Sequence, residues 1–417
     1  MSAAHVIGAG LAGLSAAVRL AQAGHAVHLY EAAPRAGGRC RSYFEPRLDC
    51  TIDNGGHVIL GANAATLAYI ETIGARDEVT EIAPAQFPFL DLATGARWSL
   101  RPNAGPVPWW PLASARRVAG TGVLDYAALL RLILAGAEDT VTDCVVTRSA
   151  LYRRLIDPLA TAVMNTPPEQ AAAQPLARVL RATLMRGERA CRPIFARRGL
   201  SFALVDPASA WLERHGVRFR TNTRVDRLDF AAGRVSAIAI DGVGIEIGPT
   251  DRVVLATPPW IAAELVPGLS HPTEHCAIVN AHFRLPRPVT GTPLLGLIGG
   301  LAQWLIVRGD VVSVTVSAAD GLLDEDQETL LDRLWHDTAK GLGLSGARPP
   351  GRLIKEKRAT FRQTPAAERQ RPAAQTGWPN LFLAGDWTAT GLPATIEGAI
   401  LSGQRAALAA VSARVVP

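Results

Sequence analysis

The chain has 417 residues, which is enough for two or three domains with large hydrophobic cores. Its formal net charge is +6 with only three lysines, so arginine carries most of the positive charge. The arginines are scattered in pairs without a single basic stripe, which argues against a nucleic-acid partner and suits anionic ligands or an anionic membrane surface. The five cysteines are odd in number and far apart, without a C-x-x-C, which argues against a disulfide framework or a zinc site and favours a reducing cytosol.

The first predicted element is a compact βαβ unit. A short apolar run leads into three glycines, Gly8, Gly10 and Gly13, and "LSAAVRLAQA" then predicts a helix that ends at Gly24. The second strand, "AVHLYE", ends at Glu31. Because glycines break the first apolar run and no basic segment precedes it, we expect a strand there and not a signal peptide.

This spacing predicts a dinucleotide site. Gly8 allows a tight turn, Gly10 lets a pyrophosphate approach the backbone, and Gly13 lets the helix pack closely on the sheet. The helix N-terminus attracts the diphosphate, and Glu31 can accept hydrogen bonds from the adenosine ribose hydroxyls. A second G-x-G-x-x-G at 341–346 follows a helix and precedes "ARPP", so we expect only a helix stop and a loop.

Further along the chain the predicted elements change in type several times, without an internal repeat. A run of apolar residues at 122–137 is too short to span a bilayer. In chain order we predict a helix at 66–79, short strands and Pro-rich turns at 81–111, mainly helical structure at 112–200, strands at 216–259 and 266–320, a capped amphipathic helix at 324–342, and a strand, Gly-rich turn and helix at 381–411.

A second glycine motif follows Glu31 in "AAPRAGGRCRS", with Gly37, Gly38 and Arg39. Two adjacent glycines alone indicate only a turn. Behind a βαβ unit, however, they resemble the second motif of the flavoprotein family that includes flavin amine oxidases and carotenoid desaturases. The resemblance implies that the nucleotide is FAD, with Arg39 near the diphosphate and the flavin.

Later segments match the same family in order: "TNTRV", "DRVVLATPP", "LFLAGDW" and "LPATIEGA". The resemblance places the backbone of Val225 at the adenine, Asp386 at the ribityl chain or diphosphate, and the helix that begins near Thr395 at the flavin pyrimidine oxygen. Asp386 alone would more simply be a turn or N-cap acid. The implied cofactor contacts are Gly8, Gly10, Leu11, Ala12, Gly13, Glu31, Gly38, Arg39, Gly55, Gly56, Val225, Gly385, Asp386, Thr395 and Ile396.

Amine oxidation is disfavoured by residue placement. Amine oxidases of this superfamily usually carry a lysine beside flavin N5 and a tyrosine cage from the C-terminal half. Here the last tyrosine is Tyr152 and the first lysine is Lys340.

The whole chain is similar to a narrower group, the squalene-associated FAD-dependent desaturases or hydroxysqualene dehydroxylases of bacterial hopanoid synthesis. One departure is Gly56, where the family pattern "D-N-G-Q-H" has glutamine. The resemblance implies replacement of an allylic hydroxyl by hydride in triterpenoid biosynthesis. The matching segments are 53–62, 157–171, 197–208, 357–365 and above all 383–407.

His57 is the candidate general acid, because histidine can be protonated near neutral pH and this loop is expected beneath the flavin. The alternative is a core histidine bonded to backbone. Asp53 is a second catalytic candidate, although an aspartate there more often caps or braces the loop.

A C30 lipid substrate would arrive from a membrane. Trp109 and Trp110 lie beside Arg116 and Arg117, with an apolar run behind them, and together they predict an interfacial patch. The alternative is that this segment is core of the substrate domain. We therefore expect a cytoplasmic protein that can contact the inner face of the cytoplasmic membrane.

The predicted fold class is α/β, with a Rossmann-type FAD-binding domain into which a mixed α+β substrate domain is inserted. The FAD domain is expected at 1–75, 200–265 and 350–417, and the substrate domain at 76–199 and 266–349. Two other functions remain open: an FAD-dependent carotenoid or isoprenoid desaturase, and a non-catalytic prenyl-lipid carrier of the same fold.

Overall fold

The computed structural model of the chain describes residues 2–291 and 293–413. Groups of consecutive strands and groups of helices follow one another along this part of the chain. The α-helices are α1 Leu11–Gln22, α2 Ala64–Thr72, α3 Ala127–Ile133, α4 Asp157–Met164, α5 Ala173–Ala182, α6 Glu188–Cys191, α7 Asp206–Arg214, α8 Pro259–Leu265, α9 Gln327–Leu342, α10 Pro365–Gln370 and α11 Ile396–Ser412. The strands are β1 Ala3–Ile7, β2 Ala26–Tyr30, β3 Ser42–Glu45, β4 Cys50–Asp53, β5 Ile59–Leu60, β6 Val79–Glu81, β7 Phe87–Asp91, β8 Arg97–Leu100, β9 Pro193–Ala196, β10 Arg218–Arg220, β11 Arg227–Ala231, β12 Arg234–Ile240, β13 Val243–Glu246, β14 Arg252–Leu255, β15 His275–Arg284, β16 Leu294–Ile298, β17 Trp304–Arg308, β18 Val311–Val316, β19 Gly351–Phe361 and β20 Leu381–Leu383.

A five-stranded parallel sheet joins the N-terminal, middle and C-terminal parts of the chain. Its order is β10-β2-β1-β14-β20, so distant segments of the chain meet in it. All four residues of β14 are buried, as expected for a parallel strand covered on both faces. In register, Ile7 pairs with Leu255 and Leu255 with Leu383, so these strands end level at one carboxyl edge. Ligands of open α/β sheets bind at such an edge.

Helices α1 and α11 cover one face of this sheet and touch at Gly403. A Cβ at Gly403 would lie 2.1 Å from the carbonyl oxygen of Ala12. The two helix backbones can approach this closely only because Gly403 has no side chain. The predicted strand, turn and helix at the C-terminus are therefore confirmed, and they pack directly on the N-terminal βαβ unit.

A mixed seven-stranded sheet forms the second layer, in the order β19-β15-β18-β17-β16-β7-β8. Helix α9 covers one face, where Val312, Val314 and Leu305 join a single apolar cluster with its Leu334. The N-cap of α9 is Asp326, whose side chain accepts the amide of Thr329 at 2.9 Å, as the sequence predicted.

The predicted domain bounds remain a prediction, and one strand crosses them. β19 lies beyond residue 350, in the segment assigned to the FAD domain, yet it pairs antiparallel with β15 from His275 to Phe283. The paired residues are 68 to 86 positions apart, from Phe283 with Gly351 to His275 with Phe361, and such distant pairing leaves no local signal in the sequence from which the boundary could be placed.

The region at 112–200 is helical as predicted, but its helices are short and broken. Trp110 is 1% exposed and packs edge-on against Tyr126, with ring centroids 5.1 Å apart. The predicted interfacial role of Trp110 is therefore wrong, because its ring fills the core of this region. Trp109 is 44% exposed, as expected. Within residues 2–291 and 293–413, no helix is both long and apolar enough to cross a bilayer.

Candidate functional site

The glycine turn after β1 forms a cradle at the carboxyl edge of the parallel sheet. Gly8 has φ +100°, and a Cβ at Gly13 would lie 1.8 Å from the Gly8 carbonyl oxygen, so neither position tolerates a side chain. A Cβ at Gly10 would meet no heavy atom within 4 Å, so this side of the turn is open. Gly10 is also the extended N-cap of α1 and makes no side-chain cap bond. The open amide end of α1 fits a diphosphate. Leu11 and Ala12 form the buried first turn.

Glu31 lies beside this turn at the end of β2. Its carboxylate accepts the amide of Ala9 at 2.7 Å and the amide of Ala33 at 2.8 Å. Each oxygen keeps a further lone pair, which suits a vicinal pair of ribose hydroxyls. The amide of Thr223 donates to the Glu31 carbonyl at 2.8 Å, which brings the loop that carries Val225 to the same place. The geometry therefore collects the residues predicted at the adenosine end.

Arg39 and Asp386 join the N-terminal and C-terminal segments. Arg39 Nη2 donates to Asp386 Oδ1 at 2.7 Å, and Nη1 donates to the Ala359 carbonyl at 2.6 Å. Burial opposes the charge of Arg39, but Asp386 outweighs it and raises the pKa of the guanidinium. A Cβ at Gly38, whose φ is +56°, would lie 3.4 Å from the Cα of Gly10, so the turn that carries Arg39 passes close to the cradle.

The turn from β20 to α11 is held by one arginine that sequence reasoning missed. Arg371 donates to the carbonyls of Thr388 at 2.8 Å, Leu392 at 2.8 Å and Asp386 at 3.0 Å. Its charge pairs with Glu368 at 2.8 Å. In the polar run "AERQRPAAQTG" nothing separates this arginine from a surface residue, since its partners lie up to 21 residues away.

Helix α11 starts where this turn ends. The side chain of Thr395 accepts the amide of Gly398 at 3.1 Å and so caps the helix, and Ile396 is its first residue. Gly385 has φ +152°, and a Cβ there would lie 2.3 Å from the Trp387 indole nitrogen. The contacts of Arg371, the close approach at Gly385 and the Thr395 cap together hold the backbone from Gly385 to Ile396.

The "DNGGH" loop lies against the seven-stranded sheet. Asp53 Oδ1 accepts Ser42 Oγ at 2.6 Å and the amide of Leu200 at 2.8 Å, and Oδ2 pairs with Arg308 Nη1 at 2.9 Å. With both oxygens engaged by protein groups, Asp53 has the contacts of a brace. Its catalytic assignment remains a prediction, and the geometry favours the bracing alternative.

Gly55 and Gly56 bring this loop close to the sheet. A Cβ at Gly55 would lie 3.1 Å from Asn280 Nδ2, and one at Gly56 would lie 3.0 Å from Thr315 Oγ1 and 3.1 Å from Ile306 Cδ1. A glutamine at 56, as in the family pattern, would need the loop to move outward. Thr315 Oγ1 donates to Asn280 Oδ1 at 2.9 Å, so a polar pair stands beneath the loop.

His57 is an exposed residue of this loop and is not packed into the core. Burial lowers its pKa, Asp53 partly opposes this shift, and Arg39 adds to it. The alternative of a core histidine bonded to backbone does not describe this side chain.

The site as a whole fits an elongated dinucleotide. One end offers Glu31 and the Val225 loop, the middle offers the open α1 N-terminus and Arg39, and the other end reaches the start of α11. An open cradle, a paired arginine and backbone amides are the groups that bind FAD in a two-domain flavoprotein fold.

The comparisons agree with this geometry. Residues 11–411 match the family described as flavin containing amine oxidoreductase. The chain has a TM-score of 0.72 with cyclohexylamine oxidase from Brevibacterium oxydans, at 16% identity over 98% of both chains, which shows the fold. The chain therefore belongs to the flavin-containing amine oxidoreductase family, is an FAD-dependent oxidoreductase, and has FAD as its cofactor.

A narrower family is shown by full-length relatives. Hydroxysqualene dehydroxylase from Sinorhizobium fredii is 45% identical over 98% of both chains. The enzyme of the same name from Rhodopseudomonas palustris is 44% identical over 97% of both. Within the flavoproteins, the chain belongs to the hydroxysqualene dehydroxylase family.

Proposed function

We propose that the protein reduces hydroxysqualene to squalene. The observation that carries this proposal is identity of 45% over nearly the whole length to an enzyme named for that reaction. In the balanced reaction a C–O bond of the allylic alcohol breaks, a proton and the hydroxyl leave as water, and hydride forms a new C–H bond. Bound FAD in its reduced state supplies the hydride.

The residues of the chain have distinct roles in this proposal. The cradle at Gly10, with Glu31 and Arg39, binds and orients the dinucleotide. The N-terminus of α11 presents its partial positive charge to the isoalloxazine. His57 holds the proton for the departing hydroxyl, because it is the titratable side chain of the "DNGGH" loop that faces open space.

Asp53 acts as a positioning residue. Its contacts to Arg308, Ser42 and the amide of Leu200 fix the start of the loop that ends in His57. Fixing the start of this loop lowers the entropy lost when a substrate is oriented.

The test is an anaerobic incubation of the holoenzyme, chemically reduced, with hydroxysqualene. We expect squalene as product, in an amount equal to the reduced flavin consumed. Formation of a new double bond in a carotenoid precursor by the oxidised enzyme would instead indicate a desaturase. Colourless protein that refuses added FAD yet binds prenyl lipid would indicate a carrier.

We further propose that the enzyme works in the cytoplasm against the inner face of the membrane. A C30 hydrocarbon chain partitions into the bilayer, and an enzyme that meets it there avoids extraction into water. Flotation of the enzyme with anionic liposomes tests this location.

A further inference from the structure

Exposed apolar side chains are concentrated in one segment of the chain. Among the described residues, twelve large apolar side chains are exposed, and eight of them lie between residues 107 and 146. Scattered exposed apolar residues are normal, whereas a cluster marks an interaction surface. The eight are Val107 69%, Trp109 44%, Leu112 65%, Val123 42%, Leu124 90%, Leu130 57%, Leu134 80% and Val146 64%. We call them the apolar face.

The apolar face includes an outward stripe on α3. Ala127, Leu130, Arg131 and Leu134 are exposed and follow each other at three- and four-residue spacing, which places them on one side of the helix and its C-cap. The opposite side, Leu129 and Leu132, is buried. A surface helix normally carries polar residues outward. Apart from Arg131, α3 is apolar on its exposed side as well as on its buried side.

The face is not a gap in the core beneath it. One buried cluster lies in this region, so the segments that carry the exposed side chains also contribute residues to a core. The cluster includes Trp110, Tyr126, Leu129, Leu132 and Val141. The exposed side chains are what remains after that core has formed. These exposed side chains are not part of that buried cluster.

The segment 101–154, which carries the apolar face, has seven arginines and four acids. One of the acids, Glu138, pairs with Arg369 at the surface. Arg116 stacks on Trp109, with its guanidinium carbon 5.0 Å from the ring. Three acids accept amides of their own turns: Asp125 from Gly122 at 2.7 Å, Asp139 from Gly136 at 2.7 Å, and Asp143 from Thr140 at 2.8 Å. The arginines of this region are Arg101, Arg116, Arg117, Arg131, Arg148, Arg153 and Arg154.

We propose that the apolar face docks on an anionic phospholipid bilayer. Leucines and a tryptophan enter the boundary between headgroups and acyl chains, while the arginines stay at the level of the lipid phosphates. A second copy of the chain fits less well, since a two-fold contact would set the same arginines against each other. The proposal deepens the membrane location given above and does not depend on the reaction.

The test is co-sedimentation of the holoenzyme with vesicles. The variant is Leu130→Glu with Leu134→Glu, which places two charges on the exposed stripe. The matched control is Leu408→Glu, because Leu408 is 67% exposed on α11, outside the apolar face. With vesicles containing phosphatidylglycerol we expect the stripe variant to bind more than about tenfold less than wild type, and the control to bind as wild type does.

Two further measurements separate the alternatives. Vesicles of phosphatidylcholine alone, or raised salt, should weaken binding of the wild type, because the arginines need anionic lipid. Equal binding by the stripe variant and wild type would overturn the proposal. So would a dimer of the wild type that the stripe variant breaks while neither binds vesicles. Turnover of both variants in detergent reports the proposed reaction separately, so loss of docking leaves that reaction testable.

Discussion

His57 is the proposed general acid of the reaction. It is not packed into the core, and desolvation by the surrounding protein holds its pKa below the ordinary value of 6.5. His57→Ala should lower turnover by about 10²–10⁴-fold, the usual contribution of a general acid, with FAD content unchanged. Steady-state turnover and the visible flavin absorbance of the purified variant measure the two quantities. His336→Ala, at an exposed position on α9, is the control and should keep full turnover.

The same lowered pKa predicts a pH profile. At pH 7 most of the enzyme holds neutral His57, so the protonated fraction grows as the pH falls. Turnover of the wild type should therefore rise from about pH 8 to pH 6. The residual turnover of His57→Ala should lack that rise, and a rise of equal size in the variant would assign the proton to another group.

Arg371 is a positioning residue for the cofactor turn. Its side chain is 1% exposed and holds three carbonyls, so removal leaves these and Glu368 without their charged partner. Arg371→Met should cost about 3–5 kcal/mol of stability, weaken FAD binding and shift the flavin absorbance bands. Differential scanning fluorimetry, FAD titration and the visible spectrum are the measurements.

A surface arginine close by provides the comparison. Arg369→Met changes a side chain that is 55% exposed and pairs with Glu138 at the surface. Such a pair contributes about 0–1 kcal/mol, so FAD affinity and spectrum should stay those of the wild type. If Arg371→Met behaved like Arg369→Met, the role given to Arg371 would be wrong.

At the scale of elements, a carboxylate of α11 caps the N-terminus of α2. The α2 N-cap Asn63 makes no side-chain cap bond, and the carboxylate of Glu397 instead accepts the amides of Ala65 at 2.9 Å and Thr66 at 2.8 Å. Glu397→Gln removes the charge but keeps the shape, and should cost about 1–2 kcal/mol. We expect the midpoint of thermal unfolding to fall, while Glu264→Gln, an exposed acid on α8, leaves it unchanged.

The elements themselves differ in how far sequence could predict them. The βαβ unit was predicted correctly because strand, glycines, helix and Glu31 lie within 32 residues. The cap of α2 by Glu397 and the clamp by Arg371 were not predicted. Each of these contacts joins residues that become neighbours only after the chain has folded. In the sequence, a glutamate or an arginine that makes such a contact looks the same as one that lies at the surface.

The same limit explains the mixed outcome for the apolar run behind Trp109. Its hydrophobic content was visible, but the side on which each residue lies was not. Trp110 is core and Trp109 is exposed, although they are adjacent. Apolar residues on both sides of α3 give no amphipathic period from which a buried side could be chosen.

At the scale of the whole molecule, buried histidines make stability depend on pH. Burial lowers the pKa of His5 to about 4 and that of His282 to about 4. The unfolded chain then binds more protons than the native protein between about pH 4 and pH 6.5, so the free energy of unfolding falls as the pH is lowered through that window. Thermal unfolding at pH 7.5 and pH 5 should show a lower midpoint in acid.

A non-titrating side chain separates this effect from general acid denaturation. His282 Nδ1 lies 2.8 Å from Ser313 Oγ, and His282→Asn can keep a hydrogen bond to that hydroxyl. The difference in midpoint between pH 7.5 and pH 5 should be smaller in this variant than in the wild type. An unchanged difference would show that other groups set the acid limit.

The parallel sheet has a consequence for synthesis of the protein in the cell. Its central strand β1 leaves the ribosome first, but its neighbour β14 begins at Arg252 and the outer strand β20 at Leu381. β1 can pair early with β2, but its other edge stays open until β14 has been made, and the sheet is complete only when β20 is added near the end of translation. Chaperone protection during elongation, and loading of the cofactor only after release of the finished polypeptide, follow from this order of assembly.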